Sequence, residues 1–194
     1  NLAIAPVTAE GRVENFEEHL AEDTALVSVM HATWALLERQ LLETNAAACR
    51  ARDIPFHTDA IQSAGKLPID VTQTPIDLLS LSAHKLNGPK GVGALYIRHG
   101  IDLTPQTTGG TQERTRRAGT ENVPAIVGLG VACELAKQEM ETETARLAQL
   151  RDQLEQAVLK KIPGTWLNGS VDERLPHITN LGFPDTEGET IMMA

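Results

Sequence analysis

The sequence contains only two cysteines, and two cannot build a disulfide framework across a chain of 194 residues. Cys49 and Cys133 both lie in helix-like patterns, which favours buried structural thiols. A reducing, cytoplasmic setting is therefore expected. The sequence also lacks an apolar run of membrane-spanning length and a visible signal peptide, although its first residue is Asn1 rather than Met.

Positive charge is scarce as well. The chain has 17 Lys and Arg against 26 Asp and Glu, a net charge of −9. This charge argues against nucleic acid as a main partner, because phosphate binding needs clustered basic residues. A hydrophobic content of 41% is typical of a globular protein with one sizeable core, or a large domain and part of a second. His19, His99 and His177 show no metal-ligand spacing, so we predict no metal.

Short apolar runs alternate with helical patterns, which predicts an α/β domain with a mostly parallel sheet. A strand is expected at the N-terminus, a helical turn after it, and a long helix before two final strands. In that helix Leu147, Leu150, Leu154, Ala157 and Val158 are expected to face a core. Strands are predicted at 1–7, 24–31, 54–59, 76–82, 92–98, 166–169 and 178–183, and helical patterns at 13–20, 36–52 and 123–161.

A polar cluster, Ser82-Ala83-His84-Lys85, follows one apolar run and leads through a Gly/Pro turn into the next. Apolar flanks can desolvate a lysine, and desolvation lowers its pKa and frees the amine to attack a carbonyl. Taken by itself, the cluster is explained more simply as a surface lysine beside a turn.

Asp59 favours a functional Lys85 over a surface lysine, because Asp59 lies where the preceding predicted strand ends. Ligands of open parallel sheets bind beyond the carboxyl ends of the strands, where Asp59 and Lys85 are both expected. An acid for a pyridinium nitrogen and a lysine for an aldehyde are what pyridoxal phosphate (PLP) requires.

Three motifs carry a resemblance to a known family: His-Thr-Asp-Ala-Ile-Gln (57–62), Ser-Ala-His-Lys-Leu-Asn-Gly-Pro-Lys-Gly-Val-Gly (82–93) and Arg-Ala-Gly-Thr-Glu-Asn-Val (117–123). In order and spacing they resemble cysteine desulfurases of the NifS/IscS type, which are class V aminotransferase-like, fold-type I PLP enzymes. The resemblance covers nearly the whole chain. It implies a partial large domain (1–138), with a mostly parallel seven-stranded-type sheet, and the start of a small α+β domain (139–194).

The resemblance also implies roles for single residues. Lys85 would join PLP covalently and later move protons at the substrate carbon. Asp59 would pair with the pyridine nitrogen, and Gln62 would donate a hydrogen bond to the phenolic oxygen of the ring. Ser82 and His84 would bind the phosphate, whereas His57 is expected to be a structural strand histidine.

The polar loop 107–122 would cross to the partner subunit of a homodimer. Thr120 would then supply its hydroxyl to the PLP phosphate held by that partner. A solvated surface loop is the alternative interpretation of the same residues.

Two features depart from the family pattern. After Met30-His31-Ala32 the family has Asn-Asn-Glu-x-Gly-x-x-Gln, whereas this chain has Thr33 to Gln40 without a gap, and Trp34 has no amide for the cofactor ring. The family's catalytic cysteine and substrate-binding arginine are expected beyond Ala194. Its Gly-rich phosphate loop and ring-stacking histidine are expected before Asn1. We therefore predict no desulfurase turnover by these 194 residues alone.

The predicted function is a PLP-dependent cysteine desulfurase. It would convert L-cysteine to L-alanine and pass sulfur to an acceptor protein for iron–sulfur cluster or thio-cofactor assembly. The Gly-Thr-Gln-Glu-Arg motif (110–114) favours this over a selenocysteine lyase or an aminotransferase of the same fold. A catalytically inactive remnant is the third interpretation.

Overall fold

The computed structural model describes residues 2–32 and 41–193 of the chain. Its main sheet has four strands, in the spatial order β1, β2, β3, β4. The first three strands pair in parallel and β4 runs antiparallel to β3, which confirms the predicted α/β class and mostly parallel sheet. The strands are β1 (Val27–Met30), β2 (Phe56–Asp59), β3 (Leu78–Ser82) and β4 (Gly93–Ile97).

Helix α1 (Leu42–Arg50) covers one side of this sheet and forms the main apolar core with it. Its residues Leu42, Ala46 and Cys49 pack with Phe56 of β2. Burial raises the pKa of Cys49 to about 11, so this thiol is unreactive and structural, as predicted. Cys133 is only partly buried, and burial raises its pKa as well.

A buried carboxylate ties three strands together. Asp77, directly before β3, is 2% exposed. Its Oδ2 accepts a hydrogen bond from the Phe56 amide at 2.8 Å, while Oδ1 pairs with Arg98 and lies 3.4 Å from Arg50. The Asp77 amide donates to the Phe56 carbonyl at 3.0 Å. Side chain and backbone together therefore fix the position of β3 against β2.

Helix α2 (Val123–Lys161) is 39 residues long and has the predicted bounds. The Asn122 side chain accepts a hydrogen bond from the Ala125 amide at 3.3 Å, and Pro124 occupies the first turn, where its missing N–H costs nothing. The N-terminal half of α2 packs through Leu129 and Ala132 against a short 3₁₀ turn (Ala83–Leu86) that follows β3.

The C-terminal half of α2 differs from expectation. The apolar face predicted there is found only in part: Leu147 and Val158 are half-buried, but Leu150 and Leu154 are about half exposed and Ala157 is exposed. Glu155 is buried instead, and the Arg174 guanidinium donates to both of its oxygens at 2.5 and 2.9 Å. A position outside the predicted apolar face is thus buried, because Glu155 pairs with an arginine from the segment beyond the helix.

The structure also tests the elements predicted at the two ends of the chain. The prediction of an N-terminal strand is wrong: residues 2–6 are irregular, and Val7 forms a single bridge with Val13. The helical spacing after it yields a 3₁₀ turn (Phe16–His19). Both final strands are confirmed in shortened form. The remaining elements are β5 (Thr111–Gln112) with β6 (Arg117–Ala118), β7 (Trp166–Leu167) with β8 (Leu181–Gly182), both antiparallel, and α3 (Gly188–Met192).

Within residues 2–32 and 41–193, no helix combines the length and the apolar character that crossing a membrane requires.

Replacing Asp77 with asparagine is expected to lower the free energy of unfolding by about 2 kcal/mol, because a charge-assisted hydrogen bond and two ion pairs are lost from a buried site. Urea denaturation of the D77N protein measures the loss. The exposed Asp102→Asn variant is the control, and an equal stability of D77N and D102N would contradict the role of Asp77.

The Glu155–Arg174 pair predicts acid sensitivity. Burial raises the pKa of Glu155, but the hydrogen bonds and charge of Arg174 outweigh burial and hold the pKa below its ordinary 4.5. The charged form therefore stabilises the fold above pH 4.5, and this contribution is lost as pH falls through the lowered pKa.

The stability lost on Glu155→Gln should accordingly be largest above pH 4.5 and shrink below it. Denaturation curves across this pH range test the prediction, with exposed Glu141→Gln on the same helix as the control. A loss that does not vary with pH would rule out the ionised pair as its source.

Candidate active site

Two parallel strands end beside each other at one edge of the sheet, and each carries a polar side chain there. Asp59 is the last residue of β2 and Ser82 the last of β3, with Asp59 opposite Ser80 in the register. The carboxyl ends of parallel strands form the usual ligand-binding edge of such a sheet. The structure therefore brings two of the predicted site residues to a shared edge.

The chain passes from β3 directly into the 3₁₀ turn Ala83–Leu86, which holds two further site residues. Positions three apart share a face in such a turn, so Ala83 and Leu86 are both buried against α2. His84 and Lys85 take no part in that buried contact and are exposed. Asn87, at a φ of 61°, ends the turn in a left-handed conformation.

The Ser82 hydroxyl and the His84 imidazole form one hydrogen-bonded unit. Ser82 Oγ lies 2.8 Å from His84 Nδ1. A hydroxyl and an imidazole at a strand end are suitable donors for an anionic group. The pair thus has the chemistry of the predicted phosphate site.

Lys85 is exposed, which differs from the expectation that apolar flanks desolvate it. Its apolar neighbours Ala83 and Leu86 are committed to α2 and do not surround the amine. Within the described residues, the Lys85 amine is accessible to a ligand from solvent.

Asp59 is half-buried, and its orientation is fixed by the backbone that follows. Its Oδ1 accepts a hydrogen bond from the Ile61 amide at 2.8 Å, so the carboxylate closes the turn after β2. Gln62 lies half-buried in that turn. Both predicted ring-binding residues therefore occupy one short segment.

His57 bridges three strands. Its Nδ1 lies 2.7 Å from Ser28 Oγ and its Nε2 lies 2.9 Å from Ser80 Oγ. Burial lowers the pKa of His57, and the negative charge of Asp59 partly opposes this. A neutral imidazole between two hydroxyls agrees with the structural role predicted for it.

Thr120 lies exposed between β6 and α2, on a different element from the other site residues. It follows the β5–β6 hairpin, whose turn residues Glu113, Arg114 and Thr115 have φ values of 50°, 56° and 69°. The altered segment Thr33 to Gln40, including Trp34, lies outside the described residues.

The sequence patterns missed two side chains near Lys85. Lys66 donates from Nζ to the Lys85 carbonyl at 3.0 Å. Burial, followed by the positive charges of Lys66 and Lys85, lowers the pKa of His177 to about 4. Lys66 and Lys85 also border a cavity of about 760 Å³ against α2. No spacing rule links residues 66, 85 and 177, so only the fold reveals this cluster.

Comparison with known proteins identifies one family. The family model described as aminotransferase class-V matches residues 1–194. A cysteine desulfurase of Gluconacetobacter diazotrophicus is 46% identical over 192 residues, which are 96% of this chain and 47% of that protein. The chain thus spans about half the length of the curated relatives it matches.

Solved structures agree. A NifS-like protein has a TM-score of 0.91 at 35% identity, covering 97% of this chain and 52% of the other. The structure described as SspA in complex with cysteine has a TM-score of 0.80 at 35% identity, covering 99% of this chain and 54% of the other.

The charge of Asp59 should be measurable at His57. Because Asp59 raises the His57 pKa against the effect of burial, Asp59→Asn is expected to lower that pKa further below its wild-type value, itself below 6.5. NMR titration of the imidazole signals gives both values. Asp102→Asn should leave the His57 pKa in place. An unchanged or higher His57 pKa in D59N would contradict the electrostatic effect of Asp59 on His57.

Proposed function

The chain belongs to the class V aminotransferase family, and from this premise we propose that the protein is a PLP-dependent cysteine desulfurase. The observation that supports this most is the shared edge of β2 and β3, where a carboxylate, a hydroxyl–imidazole pair and an accessible amine lie on adjoining elements. Family members are PLP-dependent.

The residues present fit that cofactor by their chemistry. PLP has a ring nitrogen, an anionic phosphate and an aldehyde. Asp59 offers a carboxylate oriented by the Ile61 amide, Ser82 and His84 offer hydrogen-bond donors, and Lys85 offers an exposed amine. We propose these pairings for Asp59, Ser82, His84 and Lys85, with Gln62 at the phenolic oxygen.

When bound, PLP supplies an electron sink for charge that develops at the substrate carbon. Asp59 would favour this by holding a negative charge beside the ring nitrogen. Lys85 would bind the cofactor and then, as a free amine, take and return a proton at the substrate carbon.

L-Cysteine is the proposed substrate, and its sulfur would pass to an acceptor protein for iron–sulfur cluster or thio-cofactor assembly. The name of the Gluconacetobacter relative and the cysteine in the SspA structure support the substrate. We further propose a homodimer in which Thr120 reaches the partner's cofactor phosphate.

The proposal also includes a cytoplasmic location and two domains that meet near Glu139. The unpaired Cys49 and Cys133 support a reducing location. α2 runs unbroken through the proposed border, so a single helix would link the two domains.

Lys85→Ala in the full-length protein is expected to abolish the visible absorption of covalently bound PLP, because no other amine would occupy this position. Borohydride reduction followed by peptide mass spectrometry should place the cofactor on Lys85 in the wild type. Lys90→Ala, an exposed lysine at the end of the same Gly/Pro turn, should retain the absorption. Reducible cofactor in K85A would refute the proposal.

The same preparations separate the related reactions. With a thiol reductant in the assay to release the transferred sulfur or selenium, equal amounts of alanine and sulfide from L-cysteine support the desulfurase. Selenide from selenocysteine without sulfide from cysteine would identify a selenocysteine lyase. Amino transfer to a keto acid would identify an aminotransferase. Wild-type protein that never takes up PLP would support the inactive remnant.

A further inference from the structure

The segment after β2 touches the lysine-bearing turn through a side chain that the proposed mechanism does not use. The Lys66 ammonium donates to the backbone carbonyl of Lys85 at 3.0 Å. Carbonyls at the end of a short helical turn have no partner within the turn, so they need one from elsewhere. Lys66 supplies it at the residue proposed to join the cofactor.

The backbone around Lys66 is built for this close approach. Gly65 has a φ of 71°, in the region that favours glycine. A Cβ at this position would lie 2.7 Å from Leu86 Cδ2 and 2.9 Å from Ala136 Cβ. The segment is therefore pressed against both the 3₁₀ turn and α2.

Helix α2 secures the same segment from the other side. The Thr144 hydroxyl donates to the Lys66 carbonyl at 3.1 Å. Lys66 is thus fixed at its backbone by α2, while its side chain extends to the Lys85 carbonyl. These two hydrogen bonds together limit the movement of the turn relative to the sheet edge.

The pKa shifts of Lys66 and His177 indicate that these two residues lie close to Lys85. Burial, and then the charge of Lys85, lowers the pKa of Lys66. His177 senses both ammonium groups, and its buried Nδ1 has no hydrogen-bond partner in the described part of the chain. The positive charges of Lys66 and Lys85 thus both contribute to lowering the pKa of His177.

We infer that Lys66 is a positioning residue: its ammonium holds the Lys85 carbonyl and so aims the Lys85 amine at the edge where Asp59 and Ser82 lie. The inference rests on the proposed function. It assigns Lys66 no contact with cofactor or substrate. A small error in the placement of a reacting amine is enough to slow its reaction strongly.

The test uses the full-length protein freed of PLP. After PLP is added, the rise of visible absorption gives the rate of covalent capture, and borohydride trapping confirms that Lys85 is the residue modified. Lys66→Met keeps much of the aliphatic stem and removes the donor. It should slow capture about tenfold or more, whereas Lys66→Arg, which retains a donor, should restore most of the rate.

Amide hydrogen exchange provides a second readout that needs no cofactor. Residues 83–88 should exchange faster in K66M than in the wild type or K66R. Lys90→Met is the matched control and should change neither exchange nor capture.

The outcomes are distinguishable. If K66M captures PLP on Lys85 at the wild-type rate, Lys66 does not position it, and the proposed function stands. If K66R is as slow as K66M, a donor at this position does not suffice and the inference also fails. If the wild type itself takes up no PLP on Lys85, both the inference and the proposed function are overturned.

Discussion

The arrangement of the sheet depends on the buried carboxylate of Asp77. It bonds to the Phe56 amide at the start of β2 and pairs with Arg98 after β4, so three strands meet at one charge. Parallel strands keep their register along their length. A contact at their first residues therefore also decides that Asp59 and Ser80 face each other three residues later, about 10 Å away. The contacts of Asp77 at one end of the strands thus fix the relative positions of the candidate site residues at the other end.

A second constraint is the closeness of the turn 83–89 to α2. Small residues make it possible: a Cβ on Gly128 would lie 2.5 Å from Pro89 Cγ, and one on Gly88 would lie 3.0 Å from Ala132 Cβ. Since Ala83 and Leu86 are buried in this contact, His84 and Lys85 are left on the open face. The exposure of the candidate lysine thus follows from packing on the far side of the turn.

Local patterns predicted much of the fold. Short apolar runs marked β1 to β4, and helical spacing between Asn122 and Pro163-Gly164 gave the bounds of α2. They failed where tertiary partners decide burial. Leu150 and Leu154 have core-like spacing, yet Glu155 is buried, because Arg174 from a later segment pairs with it. Residues 2–6 have strand-like composition, yet they are irregular in the described part of the chain.

The sequence by itself determined the mostly parallel α/β class, the long helix, the strand-end position of Asp59 and the place of Lys85 just after the next strand, because periodicity and turn residues are local properties. Three motifs in one order also predicted the family. Only the tertiary structure decided that Asp77 is the buried anchor, that Lys85 is exposed, and that Lys66 and His177 come to the same turn. These contacts join residues far apart in the chain, and their energies depend on distance and burial, which no spacing along the sequence specifies.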